Sequence, residues 1–202
     1  FLSWVNQTDC FQYLGVHYAD LIYFLTGAVP QRAMVIGQKG WLASQGLDTY
    51  DTIEATVEWE PTSGRRFSAH LLTGWIDPER TSAMSDQRIT IVGTRGRAES
   101  DQKRRGLSVV TDEQGLEEPN PDFCMPYGAD GQTSYQGYGI ESIKQFLNDA
   151  VELQSGRMSA EQLESARPSF QQALVSTAVV EAVRTSLQQD GRWVDVPLAV
   201  RT

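Results

Sequence analysis

The chain has 202 residues, 40% of them hydrophobic, which suits one domain with a sizeable core and excludes a disordered segment. Its 17 Lys and Arg face 26 Asp and Glu, a net charge of −9 that excludes a basic face for nucleic acid or an anionic membrane. No apolar run approaches the roughly 20 residues of a membrane span, and Cys10 and Cys124 make neither a disulfide framework nor a zinc site, so we expect a cytoplasmic protein without a metal.

Phe11 to Leu25 reads as a helix. Its apolar run Leu21-Ile22-Tyr23-Phe24-Leu25 stops at Thr26-Gly27, and a glycine just past such a run ends a helix in the left-handed conformation. Met34 to Gln38 reads as a strand. Ile53, Ala55, Val57 and Trp59 alternate with Thr52, Glu54, Thr56 and Glu58, the period of a half-buried strand. Pro61-Thr62-Ser63-Gly64 turns the chain into a partner strand, Arg66 to Ile76. On it His70, in phase with Ser68 and Leu72, is a sheet-face residue. Trp41, Trp59 and Met34 are expected in the core or an interface.

Arg88 to Thr94 is a further β-rich run, followed by the turn Arg95-Gly96 and by Leu107 to Thr111. Glu117 to Tyr138, with Pro119, Pro121, Pro126 and several glycines, reads as a long loop, a kind of segment that is often functional. Ile140, Ile143, Leu147, Ala150 and Val151 have helical spacing. Ser159-Ala160-Glu161-Gln162 has the form of a capping box. Pro168 fits the first turn of a last helix that passes through Leu174, Ala178 and Val183 and stops before Gly191. Trp193 to Leu198 reads as a final strand. Turn-linked strands in series, with helices gathered separately, predict an α+β fold: an open, largely antiparallel β-sheet with helices packed on one face. Residues 1–202 read as a single domain.

Chemistry concentrates at Gly15-Val16-His17-Tyr18-Ala19-Asp20. His17 is one of only two histidines. Imidazole titrates near neutrality, so His17 either handles a proton or is a hydrogen-bonded residue closing the helix against the core. Asp20 is expected to bond to a nearby loop. Trp75-Ile76-Asp77-Pro78-Glu79-Arg80 is either a plain strand end with a proline turn or a pocket edge; in the second case Trp75 and Arg80 contact substrate. Tyr127, Tyr135 and Tyr138 among glycines suit a sugar face or a packed loop equally. Of these, Tyr138 is kept as a candidate substrate contact.

The spacing Gly15-x-His17-x-x-Asp20, with its apolar helix and Thr26-Gly27, resembles the second-domain motif of the glucose–fructose oxidoreductase / inositol dehydrogenase (Gfo/Idh/MocA) family. The likeness extends over Asp51 to Trp59, over Ile89-Thr90-Ile91-Val92-Gly93-Thr94-Arg95-Gly96, and over the terminal helices. It implies a substrate-binding and oligomerisation domain of an enzyme that transfers hydride between a sugar or polyol carbon and NAD or NADP. His17 would then be catalytic, with Tyr13 as a helper. Many members carry an aspartate where this chain has Tyr13, and a phenol is the poorer base at neutral pH. That departure keeps open a second reading, a non-catalytic sugar-binding or scaffold relative.

The family's nucleotide-binding Rossmann domain is absent from this chain, which has no Gly-x-Gly-x-x-Gly between a strand and a helix. We therefore expect no dinucleotide binding and no activity from this chain alone. Both faces of the strand Arg66 to Ile76 are partly apolar. With the pairing seen in the family, this implies a homodimer or dimer of dimers through the open sheet face.

Overall fold

In a computed structural model the described residues are 4–78, 80, 85–103, 106–118, 125–129 and 132–198. They fall into two compact units, 1–78 with 167–202, and 79–166. Among the described residues all strand pairing is antiparallel. The fold class is α+β, as the strand and helix order predicts.

The first unit is a four-stranded sheet under two helices. Its strands are β1 (Val29–Gln38), β2 (Thr52–Glu60), β3 (Phe67–Gly74) and β10 (Val194–Asp195), in the order β10-β1-β2-β3. The alternation read along β2 is what the strand buries: Ile53, Ala55, Val57 and Trp59 point into the core. Against them lie α1 (Val16–Thr26) and α5 (Phe170–Gln188), which supply Ala19, Val179, Ala182 and Val183. Each Val or Ile side chain so buried contributes roughly 1.5–3 kcal/mol. Gly27 ends α1 as predicted, with φ of 61° and its N–H donating to the Tyr23 carbonyl at 2.7 Å.

Among the described residues of this unit, no helix packs on the opposite face of the sheet. Register places Arg32, Glu58 and Ser68 in one row, Met34, Thr56 and His70 in the next, and Ile36, Glu54 and Leu72 in a third. His70 is a sheet-face residue, its Nδ1 3.1 Å from the Thr56 hydroxyl.

The second unit holds a four-stranded sheet, β4 (Arg88–Gly93), β5 (Gly96–Asp101), β6 (Gly106–Thr111) and β7 (Gly115–Glu117), in chain order. A separate hairpin, β8 (Met125–Ala129) with β9 (Gln132–Gln136), precedes α3 (Tyr138–Gln154) and α4 (Ala160–Ala166). At α4 the capping box is realised in both directions: Gln162 N–H donates to the Ser159 hydroxyl, and Ser159 N–H to the Gln162 side-chain carbonyl.

Three expectations are revised. The strands form two sheets and a hairpin rather than one sheet, and much of the loop read over Glu117 to Tyr138 is that hairpin. Pro168 lies ahead of the last helix, because Ser169 is the N-cap and accepts from the Gln172 N–H at 3.3 Å. The final strand shrinks to two residues, Val194 and Asp195, which pair with Ala33 and Arg32 of β1. Of the tryptophans expected in the core or an interface, Trp59 is fully buried in the core and Trp41 is exposed at the start of α2 (Trp41–Ser44). Cys124, Arg104 and Arg105 lie outside the described residues.

Candidate functional site

The site is built at the end of the first sheet where β1 and β3 finish and β2 begins. The segment Phe11–Gly15 is one π-helical turn, closed where the Val16 N–H donates to the Phe11 carbonyl five residues back. Its cause lies in two residues. Phe11 is fully buried, and a Cβ on Gly15 would stand 2.7 Å from its ring, so glycine alone leaves room for that ring against the turn. Ahead of it Cys10 is buried beside Thr73 at the end of β3, with the Thr73 hydroxyl 3.5 Å from its sulfur. Burial pushes the Cys10 thiol above its ordinary pKa. Core packing on both sides thus fixes where the π turn stands.

His17 is the second residue of α1 and is exposed. Its side chain makes no hydrogen bond among the described residues, so the reading of a histidine bonded into the core does not hold. Asp20, three residues on, is exposed as well, and among the described residues it bonds to no loop. Tyr13, His17, Asp20 and Phe24 are all exposed along this first helical segment.

Tyr13 is one of three rings that meet. Its centroid lies 5.5 Å from that of Trp4 and 6.3 Å from that of Trp75, and the two indoles stand edge-on at 5.9 Å. Trp75 is set from below by Asp51. The Trp75 N–H donates to the Asp51 carbonyl at 3.0 Å. The buried Asp51 carboxylate accepts from the Trp41 and Leu42 N–H groups at 2.8 Å each. Beyond Trp75 an open depression is lined by Ile76, Asp77, Pro78 and Trp41.

Sequence reading paired Tyr13 with His17 and singled out Trp75 separately; the fold brings Tyr13 and Trp75 into contact. Trp4 was not singled out, since one indole near the chain start carries no signal by itself. Arg80 and Tyr138 belong to the second unit. Arg80 is exposed, and Tyr138 opens α3 with an exposed ring. Asp86 is engaged by Arg88 at 2.8 Å and Lys103 at 3.2 Å, which hold its carboxyl below the usual range.

Among the described residues no three His, Cys, Asp or Glu side chains gather as a metal site, and no helix is long and apolar enough to cross a membrane. Gly93 and Gly96 flank the two-residue turn between β4 and β5. That is a hairpin, and no strand–glycine–helix cradle for a dinucleotide pyrophosphate occurs among the described residues. The residues present therefore do not fit a complete NAD or NADP site.

An antiparallel α+β domain of this kind recurs in solved oxidoreductases. An oxidoreductase from Pseudomonas syringae superposes with a TM-score of 0.67 at 17% identity, over 94% of this chain and 52% of its own. An inositol dehydrogenase homolog complexed with NAD+ from Azotobacter vinelandii gives 0.64 at 17%, over 92% and 48%. UDP-N-acetylglucosamine 3-dehydrogenase from Acidithiobacillus ferrooxidans gives 0.59 at 18%, over 95% and 52%. The chain spans about half the length of these proteins. No curated protein matches it in sequence. The chain belongs to the Gfo/Idh/MocA oxidoreductase family: residues 4–196 match that family's C-terminal α/β domain.

Proposed function

We propose that this chain is the substrate-binding half of a cytoplasmic NAD(P)-dependent oxidoreductase acting on a sugar or polyol hydroxyl. The observation that carries the reading is His17, exposed at the first turn of α1 with no side-chain hydrogen bond among the described residues. An imidazole with no structural task is available to a reacting hydroxyl. A nicotinamide bound outside this chain supplies the hydride chemistry. The chain's own share is to bind the substrate beside Tyr13 and Trp75 and to hold or take the hydroxyl proton at His17.

Two solved relatives of the fold support the substrate class: one is complexed with NADH and myo-inositol, and another is named a UDP-N-acetylglucosamine dehydrogenase. The reading includes a homodimer or dimer of dimers through the helix-free sheet face, where Ile36 is 66% and Leu72 75% exposed.

In the full-length protein, His17→Ala should lower turnover by roughly 10²–10⁴-fold with the fold intact. Unchanged turnover would remove His17 from the chemistry. Tyr13 at the position of the usual aspartate favours a second reading, a sugar-binding relative without catalysis. Nicotinamide reduction over a panel of sugars separates the two.

A further inference from the structure

The contact of Tyr13 with Trp4 and Trp75 has a direct bearing on what the substitution of the usual acidic residue does. All three rings touch one another, at 5.5, 5.9 and 6.3 Å between centroids. Offset and edge-on contacts at these separations are the favourable aromatic geometries. Trp4 and Trp75 are each half-buried, and Tyr13 is 55% exposed. The triangle therefore has two anchored members and one that presents a ring to solvent.

One anchor and the platform ring are each fixed from elsewhere. Trp75 hangs on the Asp51 carbonyl, and Tyr13 is aimed by the π turn that Phe11 and Gly15 impose. The Tyr13 hydroxyl makes no hydrogen bond among the described residues. No neighbour there aligns it for proton transfer, whereas its ring is held on two sides.

We propose that Tyr13, braced by Trp4 and Trp75, is a stacking platform for the C–H face of a cyclic sugar or cyclitol, and that its ring rather than its hydroxyl contributes the binding. The face of an aromatic ring is electron-rich and attracts the polarised C–H bonds that a pyranose or cyclitol aligns on one side. A preorganised platform meets a preorganised ligand at low ordering cost; an open-chain polyol must first be frozen into a flat face. The site would thus prefer ring-closed over open-chain substrates, a choice that an aspartate at the same position has no means to make through stacking. Trp4 and Trp75 act as positioning residues. This inference rests on the substrate-binding reading above and narrows its substrate class.

The test uses the full-length protein and its tryptophan emission. Methyl β-D-glucopyranoside and myo-inositol are titrated against open-chain glucitol, in the wild type and in Tyr13→Phe, Tyr13→Leu and Trp4→Leu. We expect the cyclic ligands to bind about tenfold more tightly than glucitol. Tyr13→Leu should collapse that ratio, and Tyr13→Phe should restore it. Trp4→Leu, which leaves the Tyr13 side chain present, should weaken the ratio and raise KM for the cyclic substrate more than it lowers kcat. Equal affinities for cyclic and open-chain ligands would overturn the platform, as would no binding of any of the three. So would a Tyr13→Phe variant that loses the ratio as fully as Tyr13→Leu. Nicotinamide reduction is followed in the same samples. A protein that keeps the cyclic preference without reducing nicotinamide sinks the oxidoreductase reading and leaves the platform standing; reduction without the preference does the reverse.

Discussion

Asp51 and Trp75 are joined through the backbone, the Trp75 N–H donating to the Asp51 carbonyl at 3.0 Å. The side chain of the same aspartate faces the other way and accepts the Trp41 and Leu42 N–H groups. One buried residue thereby holds the chain at Trp75 and also the start of α2. Its two jobs use different atoms, so mutation can separate them.

Asp51→Ala should cost about 2 kcal/mol of stability, because it strands two backbone donors that the carboxylate now satisfies. Hydrogen exchange should quicken at the Trp41 and Leu42 amides while the Trp75 amide stays protected, since its acceptor is backbone. A loss in thermal melts of less than about 0.5 kcal/mol would mean that water replaces the cap without cost.

Acid should weaken the first unit in part through Glu58. Arg32 donates to both Glu58 oxygens at 2.8 Å and holds its carboxyl below the usual glutamate range. A carboxyl whose pKa is lower folded than unfolded stabilises fully above its unfolded value, about 4.3 for glutamate. That contribution is lost as pH falls through the lower folded value. Thermal midpoints of the wild type and Glu58→Gln should therefore converge on acidification from about pH 5 to pH 3. Parallel curves would show that the pair does not couple to folding.

The helix-free sheet face makes a separate prediction. Ile36, Glu54 and Leu72 lie side by side across β1, β2 and β3, an acidic residue between two exposed apolar ones. If two copies meet there, Leu72→Glu sets like charges side by side and should convert the assembly to monomers in light scattering at tens of micromolar. A variant that scatters as the wild type does would place the interface elsewhere.

Much of the scaffold was legible because its signals are local. The alternation on Ile53 to Trp59, the stop at Gly27 and the reciprocal cap at Ser159 and Gln162 each depend on residues a few positions apart. The hairpin over 125–136 was hidden, since Pro126 and its neighbouring glycines are the residues of loops. At the site, His17 stood out through its motif. The ring triangle did not, because Trp4, Tyr13 and Trp75 come from three segments that only the end of the sheet brings together. The π turn was equally hidden: Phe11 to Gly15 has the composition of ordinary helix, and what widens it is the buried Phe11 ring lying against Gly15.

That turn carries one more residue than an α-helix needs to close the same loop of backbone. The surplus amounts to about 100° of rotation around the helix axis. Deleting one residue between Phe11 and Gly15 would let the turn relax to ordinary pitch. The imidazole of His17 would keep its place, because α1 remains packed on α5. Everything upstream, the phenol first, would swing to a different bearing. The heading of the aromatic wall is thus stored in helical pitch and the location of the imidazole in core packing, so the two can be retuned independently.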